Sequence, residues 1–251
     1  MKFIHLSDLH FHRAKSDNKA AMAILDHIRH NYPHHYLIIT GDIADDGHEK
    51  QFERALDALK PFKGRVFICP GNHDFGAAGN FYSQERAERF DEMLMLPLEQ
   101  GGTFSRDNTP VVHVLGEQDH QVMLIALDTN LDTEHVFDFA CGQVGAGQLS
   151  TLDAVLSNPG SARMTRMIFF HHHPFIHNNP FMELTDARAL MRTMYGRVDL
   201  VLFGHKHESR LWQRYGGIAY VLAADNSPGK DFVREITVTR DEISVADLKI
   251  A

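Results

Sequence analysis

Short apolar runs recur along the chain, and five of them break off into histidine, aspartate or asparagine. Residues 1–7 run into Asp8 and His10, residues 36–40 into Asp42, and residues 65–69 into Pro70-Gly71-Asn72-His73-Asp74. Residues 164–170 lead to His171-His172-His173, and residues 198–203 to Gly204-His205-Lys206-His207. Runs of this length, rich in Ile, Val and Phe, read as buried strands. A polar group left unpaired inside such a strand costs about 1–3 kcal/mol. The polar residues therefore belong just past the strand ends, where the loops of α/β proteins gather around a cleft.

Between these runs the period changes. Ala21, Ile24, Leu25 and Ile28 predict a helix over 18–29, and Phe52, Ala55, Leu56 and Leu59 predict one over 48–60. The first third thus reads strand–helix–strand–helix–strand, the pattern of a mostly parallel sheet covered by helices. A charged helix over 83–94 follows, then a hairpin of 111–115 and 122–127. Residues 128–147 are glycine-bearing and without periodicity, and predict an excursion over the cleft. Helices are expected at about 149–156 and 185–195. The tail from 210 onward alternates short strands with glycine turns and is antiparallel in character. No linker or repeat divides the chain, so 1–251 is expected to be a single domain.

Composition adds a few bounds. A chain of 251 residues, 43% hydrophobic and 23% charged, suits one large α/β domain with a sizeable core. The formal charge of −8 argues against a chain that coats nucleic acid or anionic membrane. Cys69 and Cys141 stand in unrelated contexts without C-x-x-C spacing, which predicts a reducing compartment. No basic segment precedes an apolar one at the start, and no apolar run reaches membrane-spanning length. The expectation is a cytoplasmic protein without a membrane partner. Eighteen histidines, however, make metal binding worth pursuing.

Asp8, His10, Asp42, Asn72, a histidine of the triplet, His205 and His207 offer seven potential ligands. One tetrahedral zinc needs fewer, whereas two ions sharing a carboxylate would use the whole set. Oxygen and imidazole donors suit manganese, iron, zinc or cobalt better than a calcium cage. The two-residue spacing of Asp8 with His10, and of His205 with His207, fits an extended segment with both side chains on one side.

Taken in order, Asp8-x-His10, Gly41-Asp42, Gly71-Asn72-His73-Asp74, His172-His173-Pro174 and Gly204-His205-x-His207 resemble the motif blocks of the calcineurin-like metallophosphoesterases. The blocks span about residues 5–207. The resemblance implies an α/β fold, a two-sheet αββα sandwich, with two metal ions (Mn, Fe or Zn). It implies one metal on Asp8, His10, Asp42 and His207, and the other on Asp42, Asn72, His172 and His205, with His171 the alternative to His172. It makes His73 the catalytic histidine, with Asp74 orienting its imidazole, and in-line attack by a metal-bridging hydroxide the reaction. The third block lacks the arginine that precedes Gly-Asn-His in protein phosphatases. The histidine–proline block resembles that of bacterial cyclic-nucleotide phosphodiesterases. The expected substrate is accordingly a small phosphodiester, a cyclic nucleotide or a glycerophosphodiester. A nuclease of the same fold acting on DNA and a non-catalytic metal-binding module are the alternatives. His12, His177 and Asn178 lie near these blocks; simple solvent exposure is the favoured reading for them and contact with a substrate the alternative.

Overall fold

The computed structural model describes residues 1–77, 79, 81–106, 109–117, 120–130, 140–176, 179, 181–224 and 232–250. The turn 227–229, His135 and residues His177 and Asn178 of the sequence reading lie outside them, as do 131–139 of the expected cleft excursion.

Strands β1 (Lys2–Leu6), β2 (Tyr36–Thr40) and β3 (Val66–Cys69) lie side by side and parallel. They are linked by helices α1 (Lys19–Asn31) and α2 (Glu49–Leu59), as the periodicity predicted. A single helical turn, α3 (Asn72–Phe75), begins where β3 ends. A two-residue pair, β4 (Gly76–Ala77) and β5 (Phe81–Tyr82), follows, and then α4 (Gln84–Phe90), which passes into a π-turn over Asp91–Met95. The expected hairpin is β6 (Val111–Glu117) with β7 (His120–Ala126). Then come α5 (Ala146–Ser157), β8 (Thr165–Phe169), α6 (Ala187–Met194), β9 (Leu200–Phe203) and the strands β10 (Arg210–Tyr215), β11 (Ile218–Ala223), β12 (Phe232–Val238) and β13 (Ile243–Lys249).

Apart from the β4–β5 pair, these strands form two sheets, ordered β13-β12-β1-β2-β3 and β10-β11-β9-β8-β7-β6. Side chains on a strand alternate between faces, and here the alternation sorts the second sheet between two cores. Leu124, Ala126, Met167, Phe169, Leu200, Leu202 and Leu222 pack toward the first sheet. Ile125, Ile168, Phe170, Val201, Phe203 and Val221 pack outward on α5 and α6 with Leu152, Leu156, Leu190 and Met194. The architecture is the expected αββα sandwich.

The tail differs from its uniform antiparallel reading. The β10–β11 hairpin joins the second sheet, with β11 parallel to β9, while β12 and β13 cross to the first sheet beside β1. Alternating patterns and glycine turns predict hairpins well, but carry no signal for the sheet that a hairpin joins. Among the described residues no helix is long and apolar enough to cross a membrane.

Candidate metal centre

The C-terminal ends of β1, β2, β3, β8 and β9 meet at one rim of the sandwich. The loop after β1 runs beside the loop after β2, with Asp8 N donating to Gly41 O (3.2 Å), His10 N to Asp42 O (2.9 Å) and Phe11 N to Ile43 O (2.7 Å). Asp8 and His10 thereby stand next to Asp42. Their backbones are not extended, as the i, i+2 reading supposed. Asp8 (φ 57°), His10 (45°), Asp42 (50°), His205 (76°) and His207 (51°) are all left-handed. A non-glycine residue so held costs about 1–3 kcal/mol, and such strain gathers where a side chain must be aimed against backbone preference.

Asp74 acts differently from its expected part. Its fully buried carboxylate accepts Ala44 N on Oδ1 (2.7 Å), and Gly71 N (2.9 Å) and Ile43 N (3.2 Å) on Oδ2. It clamps the loop that carries Asp42 to the loop that carries Asn72 and His73. The His73 imidazole is set instead by the backbone: its Nδ1 lies 2.7 Å from Asp45 O, while His73 N donates to Asp42 Oδ1 at 2.9 Å. Its ring meets His10 edge-on, with centroids 4.8 Å apart.

The histidine triplet resolves into three orientations. His171 Nδ1 donates to Thr40 O across the two sheets (2.8 Å), which turns Nε2 toward Asn72 Oδ1 (2.9 Å) and Asp42 Oδ2 (3.2 Å). His205 Nδ1 completes this group, 3.0 Å from Asn72 Oδ1 and 3.2 Å from His171 Nε2. His172, the residue placed among the ligands from sequence, has its Nδ1 on Thr129 Oγ1 (2.7 Å), and its ring lies 4.6 Å from that of His205. His171, the alternative within the triplet, is the member whose Nε2 faces Asp42 and Asn72, while the Nε2 of His172 is buried without a hydrogen-bond partner. His173 turns away, to Glu208 (3.2 Å) and the rings of Phe203 and Trp212.

The other end of the cluster joins His207 Nε2 to Asp8 Oδ1 at 3.5 Å and His10 Nε2 to Asp42 Oδ2 at 3.9 Å. Asp45 Oδ1 stands 3.7 Å from His10 Nδ1, and Oδ2 stands 3.2 Å from His12 Nδ1. Asp45 and Thr129 escaped sequence reasoning. The first lies three residues past Asp42, outside every motif block; the second lies in a stretch without any pattern.

Burial and charge divide these groups. Burial raises the Asp8 carboxyl to about 6. It also pushes Asp42 upward, but His171, His73 and His10 around it outweigh that and hold it well below the usual carboxylate range. Burial lowers His10 to about 4 and, with the His171 charge, His205 to about 3. For His171 burial is overcome by Asp42, which raises it to about 9. His205 and His10 are thus neutral, with electron pairs available as donors.

A test of metal fit lies in the buried atoms. Both oxygens of Asp8, both ring nitrogens of His10 and Nε2 of His205 are buried without a hydrogen-bond partner. Buried polar atoms are seldom left so. Asp8 with His10 and His207, and Asp8 with Asp42 and His171, bring one donor atom each within 4.8 Å of one another. Oxygen and imidazole donors at that spacing fit divalent cations.

A clustered carboxylate, imidazole and amide set at the rim of a two-sheet sandwich defines a metal-dependent hydrolase. The chain belongs to the calcineurin-like phosphoesterase family, which it matches over residues 1–209. It is a metal-dependent phosphoric ester hydrolase, and the family works with a two-metal centre. One relative, from Coxiella burnetii, is named a probable cyclic nucleotide phosphodiesterase. It is 26% identical over 217 residues, which cover 82% of this chain and 76% of the relative. Another, the 3′,5′-cyclic adenosine monophosphate phosphodiesterase CpdA of Haemophilus influenzae, is 25% identical over 222 residues, covering 83% and 70%. Among solved structures, a dimetal phosphatase from Danio rerio shares the fold with a TM-score of 0.73 and 15% identity, covering 100% of this chain and 96% of that one.

Proposed function

We propose that the protein is a cytoplasmic phosphodiesterase for a small phosphodiester, a 3′,5′-cyclic nucleotide. Its metal ligands in this reading are Asp8, His10, Asp42 and His207 on one side, and Asp42, Asn72, His171 and His205 on the other. The convergence of Asp42 Oδ2, Asn72 Oδ1 and His205 Nδ1 on His171 Nε2 carries the assignment, because lone-pair donors so close need a proton or a cation among them. The relatives named for cyclic nucleotides support this substrate over DNA. Manganese, iron or zinc each suit the donor set.

When bound, a pair of divalent ions supplies a hydroxide at neutral pH and neutralises phosphoryl charge. The chain's own residues do the rest. His73 donates through Nδ1 to Asp45 O, which fixes its ring. Burial works against its charge, but Asp42 and the Asp45 carbonyl outweigh burial and raise its pKa. An imidazolium held in place can give a proton to a departing alkoxide. The Asp74 clamp keeps the loops of Asp42 and His73 in register. Thr40 and Thr129, through His171 and His172, hold two rings against rotation.

Metal-reconstituted protein should hydrolyse bis-p-nitrophenyl phosphate and cyclic AMP faster than p-nitrophenyl phosphate or an oligonucleotide. A monoester preference rejects the diesterase reading. His73→Ala should retain both metals and lose about 10²–10⁴ in kcat, and an undiminished rate would reject its role.

A further inference from the structure

A second cleft, of ≈ 530 Å³, opens behind the histidine triplet, on the face of the second sheet that α6 covers. Pro174 and Phe175 form one side, Met191 of α6 another, and the turn at Tyr215-Gly216 a third. Phe175 lies 4.7 Å from Tyr215 and 5.3 Å from Trp212 between ring centroids, so the floor is aromatic. Gly216 has φ 57°, and a Cβ there would come within 3.0 Å of Met191 Cε. The absence of a side chain at this turn keeps the cleft open.

Arg188 and Arg192 line the same cleft and are exposed. Four residues apart on one helix, two like charges disfavour it by about 0.2–0.5 kcal/mol. Arg188 lies in the first turn, where the helix dipole also opposes a cation. Among the described residues neither guanidinium has a hydrogen-bond or ion-pair partner. Nearby carboxylates are engaged elsewhere: Asp186 accepts Val144 N and Gly145 N, and Asp153 holds Arg197 at 2.6 Å. Here, in a chain of charge −8, two unpaired arginines share a cleft with an aromatic floor. Guanidinium forks match phosphate oxygens, and aromatic faces with a thioether match a planar base. The volume suits a ligand of that size.

We propose that this cleft is a second, non-catalytic binding site for a nucleoside monophosphate. The base rests on Phe175, Tyr215 and Met191, and the phosphate is held by Arg188 and Arg192. The site is independent of the reaction at the metal centre. It has a built-in reporter, because Trp212 is the single tryptophan and touches Phe175.

The test is titration of the full-length protein with adenosine 5′-monophosphate, followed by calorimetry and by Trp212 emission. Saturable binding with a change in emission is expected. Arg188→Glu/Arg192→Glu should weaken it about tenfold or more, and adenosine or inorganic phosphate alone should bind more weakly by a similar factor. Asp42→Asn, which disables the metal centre, should leave it intact. If the double Glu variant melts early, Arg188→Gln/Arg192→Gln takes its place. Absent binding, adenosine as tight as the monophosphate, binding unchanged in the arginine variants, heat without a change in emission, or loss of binding in Asp42→Asn would each overturn the proposal.

Discussion

Replacement of Asp74 by Asn separates the clamp seen here from the imidazole-orienting part that the motif implied. The carboxylate is fully buried and takes one backbone N–H on Oδ1 and two on Oδ2. Asparagine keeps one oxygen. Its best placement serves Gly71 and Ile43, which turns an amide donor onto Ala44 N, at a position where the native separation is 2.7 Å. Burial and then the Asp42 charge raise this carboxyl to about 7, so the comparison is made at pH 8, where it is ionised. A hydrogen bond to a charged group contributes about 1.5–3 kcal/mol, and a buried donor facing a donor adds a penalty, so a loss of about 2–4 kcal/mol is expected. The assay is urea unfolding of metal-free protein followed by circular dichroism, so that lost metal affinity does not enter. The midpoint should fall with an unchanged slope. If Asp74 served mainly to orient His73, turnover would drop while unfolding stayed at the wild-type midpoint. A stability loss below about 0.5 kcal/mol would refute the clamp.

Four further outcomes follow from the geometry. His171→Ala should bind one metal fewer by elemental analysis while His172→Ala keeps both; the reverse pattern would restore the motif-based ligand set. Asn72→Ala should also lose one metal. Gly204→Ala places a Cβ on the Ser7 hydroxyl and 2.7 Å from Asp8 Oδ2, so it should displace Asp8, weaken metal binding and cost about 1–3 kcal/mol of stability. His5 is fully buried with its pKa lowered to about 3, first by burial and then by Arg234. A histidine lowered on folding contributes stability that is complete above the unfolded value near 6.5 and is lost as pH falls toward 3. Between pH 7 and 5 this one group should remove about 2 kcal/mol, and His5→Leu should flatten the slope by that amount; equal slopes in urea titrations would dismiss it.

Much of this was legible in the chain. Ile-, Val- and Phe-rich runs that end in Asp, His or Asn placed the rim residues, because a buried strand cannot hold those groups. Periodicity placed α1 and α2 to within two residues. The distinction between His171 and His172 was not legible, since it depends on which ring reaches Thr40 O and which reaches Thr129, contacts between segments far apart in sequence. The left-handed turns at Asp8, His10, Asp42, His205 and His207 were equally hidden: local preference argues against them, and only the paired loops hold them. Asp74 was misread for a related reason, as adjacency to His73 implied contact while the carboxylate points back to the loop after β2.

The proposed metal donors belong to two layers. Asp8, His10, Asp42 and Asn72 hang from the first sheet, and His171, His205 and His207 from the second, with the Thr40–His171 contact as a tie between them. A cation gripped by both halves would be a rivet through the seam of the sandwich. Its extraction should do more than silence turnover: it should loosen the sliding of one sheet over the other, visible as faster amide exchange along β2 and β8 while the helices on the outside stay protected.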